Sequence, residues 1–405
     1  MAGLISPDTV VPRLGVAVSG GADSLALLHI LQEAGGVDLF AVTVNHGLRP
    51  EAASEALHVA RICEGLGIPH DVLEWSGWDG KGNLQDQARR TRYRLLADWG
   101  RKRGVDAIAL GHTRDDVAET FLMRVARSSG VDGLAAMAPR FERDGMAFMR
   151  PLLDRGRAEL REILVERGVR WVEDPSNEDT AFDRARIRAA LPGLAPIGLT
   201  VDVLAETAAH LRDASDALNE IAVRWMAENL RLAAGDILFD RTALSRQPLE
   251  IKRRIVGRSL QWVASEEYPP RGAALGRVLA ALSGESEGRN LTLHGCHVMV
   301  SDMTFRITRE FAAVARLETV TDAPWDGRWH LDGPHLPGLV VRALGDDLTH
   351  CPDWRNTGVP RESLRASPAI YEGDTLIAAP VAGLTEGWTA TCGEKEDVIA
   401  GLVPH

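Results

Sequence analysis

The sequence has few of the features that mark secreted, zinc-binding or membrane-spanning proteins. Its four cysteines, Cys63, Cys296, Cys351 and Cys392, lie far apart and form no CxxC pair. Disulfide frameworks and zinc knuckles need closer spacing, so neither is expected. No apolar run reaches the roughly 18 residues that a membrane span requires, and the amino terminus lacks the basic and apolar regions of a secretory signal. These absences predict a cytoplasmic protein with no membrane partner.

An excess of positive charge is also missing. The 405 residues include 57 acidic and 46 basic side chains, which gives a net charge of −11. This balance argues against a surface that is basic throughout, but nucleic-acid binding depends on local clusters and stays open. With 45% hydrophobic and 25% charged residues, the chain has the composition of a globular protein long enough for two or three domains.

Short apolar runs alternate with helical patterns through the first 130 or so residues. The predicted strands are residues 14–20, 39–46, 70–75 and 106–112. Regular alternation of this kind predicts an α/β fold with a parallel sheet and helices on both faces. Ligands of such sheets bind beyond the carboxyl ends of the strands, so the segments that follow the strands are candidates for one crevice. These segments are SGGADS, VNHGLRP and GHTRDD.

The SGGADS loop, residues 19–24, is typical of a phosphate site but matches neither common kind. A Walker loop needs a lysine, and no lysine occurs between Met1 and Lys81. A dinucleotide fingerprint needs GxGxxG, which is absent. Two glycines permit a tight turn, and the following helix amino terminus attracts an anion. Asp23 would repel a bare phosphate, so it is predicted to be either a helix cap or a Mg²⁺ ligand.

The strand, the SGGADS loop and the helix after it resemble the pyrophosphate-loop ATPases, which cleave ATP between the α and β phosphates. Three longer segments, residues 44–56, 111–137 and 150–192, resemble the tRNA(Ile)-lysidine synthetase family in the same order. The resemblance covers roughly the first half of the chain. It implies a Rossmann-like, adenine nucleotide alpha hydrolase-like domain, followed by a small helical domain and a small β-rich α+β domain.

The resemblance also implies the reaction, a carbon–nitrogen ligation that converts ATP to AMP and diphosphate. O2 of the wobble cytidine in a CAU-anticodon tRNA(Ile) is adenylated, and the ε-amine of free L-lysine then attacks C2 to give lysidine. The codon read changes from AUG to AUA. Two other functions stay open: a tRNA-thiolating enzyme of the same superfamily, which generally needs paired cysteines, and a non-catalytic nucleotide-dependent RNA-binding protein.

Matching the motifs residue by residue gives the site that the resemblance implies, with Mg²⁺ on Asp23. The ATP-binding residues are Ser19, Gly20, Gly21, Ala22, Asp23, Ser24, Asn45, His46, Gly111 and His112. The catalytic candidates are Asp23, Asp115, Asp116, Glu119 and Arg124. The acids suit lysine recognition, a second metal contact or removal of a proton from the amine, although acids in a first helical turn also simply complement the dipole. Arg124 would hold a phosphate or be an ordinary solvated arginine. Thr113 and Arg114 depart from the usual family residues.

Local positive charge predicts where tRNA binds. The stretch 87–104 has seven basic residues and one acid, and it suits contact with phosphates better than a mixed surface would. The predicted tRNA-binding residues are Arg89, Arg90, Arg92, Arg94, Arg101, Lys102, Arg103, Arg184 and Arg188. By contrast, the mixed charges of residues 150–183 indicate a structural helix and the loop after it.

The predicted domain organisation has three parts. Residues 1–195 would form the catalytic domain, 196–315 a mainly helical tRNA-binding domain and 316–405 a β-rich tRNA-binding domain. Within the second part, residues 235–283 have a helical pattern. The choice between monomer and homodimer stays open.

Overall fold

The computed structural model describes most of the chain. The described residues are 11–45, 52–75, 84–173, 183–270, 272–283 and 290–402. The chain divides into two compact units, with the boundary between Ser215 and Asp216. The division into three domains at residues 195 and 315 stays a prediction.

The first unit contains one mixed sheet and the helices that cover it. Its strands are β1 (Arg13–Ala17), β2 (Asp38–Asn45), β3 (His70–Glu74), β4 (Ala107–Leu110), β5 (Arg140–Arg143) and β6 (Met146–Met149). Its helices are α1 (Ala22–Ala34), α2 (Ala52–Leu66), α3 (Leu84–Arg103), α4 (Arg114–Val125), α5 (Val131–Leu134), α6 (Arg157–Glu166) and α7 (Asp183–Leu194). Helix α8 (Val201–Asn229) begins in this unit and continues into the next.

The strand order is β3-β2-β1-β4-β6-β5, and every pair is parallel except β5 with β6. All four predicted strands are therefore confirmed, and the predicted parallel α/β fold with them. The sequence patterns did not predict β5 and β6, which add a short hairpin at one edge. Since β1 is central and β4 lies beside it, the segments after these two strands meet at the same edge of the sheet.

Packing on the two faces fixes the position of β1. Val16 is fully buried in a cluster with Leu25 and Leu28 of α1, and each such side chain stabilises the fold by about 1.5–3 kcal/mol. Gly15 faces α3, where a Cβ atom would lie 2.7 Å from the Trp99 ring. A larger residue at position 15 would push α3 away from the sheet.

The second unit is richer in strands than the sequence predicted. Its antiparallel sheet has the order β7-β8-β11-β10-β9, formed by β7 (Arg231–Ala233), β8 (Asp236–Asp240), β9 (Asn290–Leu293), β10 (Cys296–Val300) and β11 (Thr304–Arg309). The helices beside it are α9 (Arg241–Ser245), α10 (Leu249–Ala264) and α11 (Gly272–Ser283). The helical pattern predicted over residues 235–283 is wrong at its start, where the chain forms β8. Strand β8 pairs with the adjacent β7 on one side and with β11, more than 60 residues later, on the other, and this second pairing leaves no local signal in the sequence.

Beyond residue 310 the expected short strands are present. The sheet β12-β14-β15-β16 and the pair β13-β17 form the end of the unit. The elements are α12 (Phe311–Val314), β12 (Thr319–Val320), β13 (Trp329–Asp332), β14 (Leu339–Ala343), α13 (Arg361–Arg365), β15 (Pro368–Glu372), β16 (Thr375–Ala378), β17 (Thr389–Cys392) and α14 (Lys395–Ala400). Trp325, Trp329 and Trp388 are buried together in their core.

Among the described helices none is long and apolar enough to span a membrane alone. One bent pair, Asp183–Ile197 with Val201–Asn229, meets the requirement by length and composition only.

Candidate active site

The SGGADS loop forms a compact turn between β1 and α1. Gly20 has a φ of +86°, a conformation that only glycine adopts without strain. Ser24 closes the turn because its hydroxyl donates to the Gly21 carbonyl at 3.0 Å and accepts from the Ser19 amide at 3.1 Å. Because α1 begins just after the carboxyl end of β1, its amino terminus lies at the edge of the sheet where ligands of such folds bind, and a helix amino terminus attracts anions.

Gly111 holds the loop against the end of β4. A Cβ atom at this position would lie 3.0 Å from both the N and Cα atoms of Ser24. The backbone of the segment after β4 thus contacts the backbone of the SGGADS loop, which is called the pyrophosphate loop below. This contact brings the predicted ATP-binding residues at 19–24 and 111–112 into one site.

Asp115 and Asp116 both act as helix caps. The Asp116 carboxylate accepts from the amide and the hydroxyl of Thr113 at 2.8 and 2.9 Å, which completes a capping box for α4. The Asp115 carboxylate accepts from the amide of Arg157 at 2.9 Å and so caps α6. The departure from the family pattern at Thr113 thus has a local structural explanation.

Glu119 is fully buried, and three guanidinium groups surround it. Arg157 donates to its carboxylate at 2.6 Å, Arg188 at 2.8 Å, and Arg184 lies 3.5 Å away. The sequence predicted Arg184 and Arg188 to be tRNA contacts; the structure places both beside this buried acid, and a contact of their exposed parts with tRNA stays a prediction. With its oxygens occupied in this way, Glu119 is an anchor for arginines and is poorly suited to accept a proton from a substrate.

Arg157 connects the loop with the acids of α4. Its guanidinium lies 3.4 Å from Asp23 and donates to Asp116 at 2.7 Å. Burial alone would lower the pKa of Arg157, but the nearby carboxylates raise it above its usual range. The sequence pattern did not predict this role, because the mixed charges around Arg157 indicate only a structural helix. The signal that could have found it is the family-like motif to which the residue belongs.

Asp23 is the titratable group at the loop itself. Burial raises its pKa from 3.8 to about 6, and Asp116 and Asp115 contribute in the same direction, against the attraction of Arg157. Among the described residues, no group of three or more metal-binding side chains surrounds it. One carboxylate fits Mg²⁺ that is held mainly by nucleotide phosphates, since this ion commonly binds one or two carboxylates together with substrate phosphates.

A second cluster beside the acids is positive. Arg150 is 8% exposed, and its Nε donates to Nδ1 of His112 at 3.1 Å. Burial and the surrounding arginines hold the pKa of His112 well below its usual value, so its ring is neutral. Arg92 and Arg89 of α3 approach the same place, around the buried ring of Tyr93.

The remaining predicted residues are more dispersed. Arg124 is exposed in the last turn of α4, about 14 Å along the helix from Asp115, and this placement speaks against a role at the reacting atoms. Arg103 stacks on Phe40 and lies 3.7 Å from Asp71, so the basic end of α3 is at the amino ends of the strands. Asn45 ends β2 and donates to Glu74 at 3.1 Å. His46 lies outside the described residues.

Comparison with known proteins identifies the family of this chain. Residues 3–194 match the model of the PP-loop domain. The tRNA(Ile)-lysidine synthase of Ruegeria pomeroyi is 48% identical over 97% of this chain and 94% of its own length, and that of a Bradyrhizobium species is 40% identical over 70% and 84%. The U34-tRNA thiolase NcsA of Methanococcus maripaludis is similar over 49% of this chain and 70% of its own, with a TM-score of 0.43 at 17% identity. The chain therefore belongs to the tRNA(Ile)-lysidine synthase family.

Proposed function

We propose that this chain is a cytoplasmic enzyme that ligates free L-lysine to C2 of the wobble cytidine in CAU-anticodon tRNA(Ile). The observation that carries the proposal is the juxtaposition of the SGGADS loop with the acids and arginines at the start of α4, in a chain of this family. ATP would bind with its pyrophosphate end on the loop. Asp23 would hold a Mg²⁺ ion, which neutralises charge on the departing diphosphate.

The first step forms a bond between O2 of the cytidine and the α-phosphorus of ATP and breaks the bond to diphosphate. The loop amides would stabilise the charge that develops on diphosphate. In the second step the lysine ε-amine attacks C2, AMP leaves with the oxygen, and the amine loses a proton. Only a neutral amine is nucleophilic, so a nearby base must accept that proton.

Asp115 is the carboxylate best placed for this task. Glu119 and Asp116 are occupied by guanidinium groups, and Asp23 would face the metal ion. Asp115 forms no ion pair within the described ranges, and only one of its oxygens accepts the Arg157 amide. This distribution supports Asp115 as the group that binds the substrate amine.

The proposal is tested with ATP, Mg²⁺, labelled lysine and a CAU-anticodon tRNA(Ile) transcript. Label should enter the tRNA together with release of diphosphate. Asp23→Ala should abolish diphosphate release while tRNA binding is retained, and equal loss of both would mean that Asp23 only supports the fold. Thiolation is the competing outcome: label would stay out of the tRNA while a sulfur donor supports diphosphate release. The three buried cysteines, Cys63, Cys296 and Cys351, do not favour it.

A further inference from the structure

The positive cluster beside β4 contains guanidinium groups that the protein itself leaves without a counter-charge. Arg92 is half-buried, and within the described part of the chain it has no ion pair and no hydrogen bond. Its neighbours include the Tyr93 ring and another cation, Arg89. Burial lowers the pKa of Arg92 and of Arg150, which means that the charged forms are held at a cost.

Arg150 supports the cluster from behind. Its donors are used by the carbonyl of Ala138 at 2.5 Å and by His112, and its guanidinium stacks on Phe141 at 4.1 Å. Arg150 therefore contributes positive charge and a rigid side to the cluster. The N–H donors of Arg92, by contrast, make no hydrogen bond within the described part of the chain and can bind a ligand. Buried charges in proteins are normally paired or bound to a ligand, so this cluster predicts an anion.

The charge of the surroundings indicates which anion. His112 ends the segment after β4, and Asp115 and Asp116 begin α4 three and four residues later. Arg184 is close to both groups, because its charge contributes to the lowered pKa of His112 and its guanidinium lies 3.5 Å from the Glu119 carboxylate. The site thus has a cationic side and an anionic side within a few residues. A phosphate would suit only the first side, whereas an amino acid with a carboxylate and a distant amine suits both.

We propose that Arg92, assisted by Arg89 and Arg150, binds the α-carboxylate of the amino acid substrate and thereby selects lysine over simple diamines. This inference rests on the proposed function and adds the group that recognises the non-reacting end of lysine. The amine end would then reach Asp115, where the reaction takes place. Arg92 is on this view a binding residue for lysine and not for the tRNA backbone.

The test compares lysine with cadaverine, which has both amines of lysine but no carboxylate. Amine incorporation into tRNA is measured at saturating ATP and tRNA for the wild type, Arg92→Gln, Arg92→Lys and the control Arg61→Gln, which changes an exposed arginine of α2. The wild type should prefer lysine in kcat/KM by about 10- to 100-fold, the range of one charge-assisted hydrogen-bond pair. Arg92→Gln should reduce kcat/KM for lysine and leave that for cadaverine unchanged, and Arg92→Lys should retain part of the preference.

Other readouts separate this inference from its alternatives. Calorimetric binding of lysine and of lysinamide in the presence of ATP should show that Arg92→Gln weakens only the former, and melting curves report whether each variant is folded. A raised KM for tRNA or ATP with an unchanged preference for lysine would overturn the inference. Equal loss of lysine and cadaverine would also overturn it. With tRNA and ATP but no lysine, Arg92→Gln should still release diphosphate, because Arg92 is not needed for the first step. If the wild type releases no diphosphate under these conditions, the proposed function itself is contradicted.

Discussion

At Glu119, three guanidinium groups converge on one fully buried carboxylate. Removing one partner of a buried pair costs about 3–5 kcal/mol, because the remaining charge is left without compensation. Glu119 therefore stabilises the site, and through it the positions of Arg157, Arg184 and Arg188. The sequence placed Glu119 among the catalytic candidates, whereas its contacts in the structure are those of a residue that positions arginines.

Asp23 should reveal a conflict between stability and function. Its pKa of about 6 in the folded protein exceeds the ordinary 3.8, so the folded state binds the proton more tightly than the unfolded state. The ionised carboxylate therefore destabilises the fold above about pH 6, and the penalty disappears as the pH falls towards 4. Asp23→Asn should raise the free energy of unfolding by roughly 1–3 kcal/mol near pH 7.5 and by almost nothing near pH 4.

Chemical denaturation at the two pH values measures this difference. Asp374→Asn, on a fully exposed side chain, is the control and should change stability little at either pH. A gain from Asp23→Asn that is equal at both pH values would contradict the assignment to the ionised carboxylate. Loss of diphosphate release in the same variant would show that the destabilising charge is needed for the reaction.

At the scale of elements, the site depends on how β1 and β4 place their following segments. The pyrophosphate loop leaves β1, the segment with Gly111 leaves β4, and the two strands pair directly. Contact between the two backbones requires that position 111 has no side chain. The amino terminus of α6 completes the site from a third element, through the amide and the guanidinium of Arg157.

Gly111→Ala should therefore weaken ATP binding more than it weakens the fold. The added methyl group would press on the Ser24 backbone at 3.0 Å and displace the loop. We expect about tenfold weaker ATP binding, which corresponds to the lower range of overpacking energies. Equilibrium binding of ATP measures the effect. Gly130→Ala is the matched control, since nothing lies within 4 Å of its Cβ position, and ATP binding as strong as in the wild type for both variants would refute the explanation.

At the scale of the whole molecule, the acidic net charge coexists with basic clusters in two places. Helix α3 has two sets of basic residues, Arg89 to Arg94 and Arg101 to Arg103, and only the first set includes residues beside His112 of the crevice. The second half ends beside Arg13 and Phe40, at the amino ends of the strands. A tRNA whose wobble base enters the crevice would contact the first set more readily than the second.

Salt dependence of tRNA binding distinguishes the two sets. Replacing Arg90 and Arg94 by Gln should lower the slope of log affinity against log salt by roughly 0.7–0.9 for each phosphate that the protein no longer neutralises. The same double change at Arg101 and Lys102 should leave the slope unchanged. If both pairs lower the slope equally, tRNA binds along the whole helix, as the sequence alone predicted.

The sequence by itself determined the SGGADS loop and most of the sheet of the first unit, because both depend on local signals. SGGADS follows an apolar strand within a few residues, and strand and helix periods are readable in short windows. The same holds for the family motifs, which indicated Asp23 within the loop and Asp115, Asp116 and Glu119 as candidates beside it. Strand β8 was missed because it pairs on one side with the distant β11, and its local partner β7 is very short. The hairpin of β5 and β6 was missed because each strand has only 4 residues.

Only the tertiary structure decided which charges meet. Arg157, Arg184 and Arg188 are separated from Glu119 by 38 to 69 residues, yet they surround its carboxylate. The single basic stretch at 87–104 became two groups, because a helix of 20 residues spans about 30 Å and its ends face different surroundings. Ion pairs depend on distances in space, and burial strengthens them, so a sequence pattern can name the charged residues but not their partners.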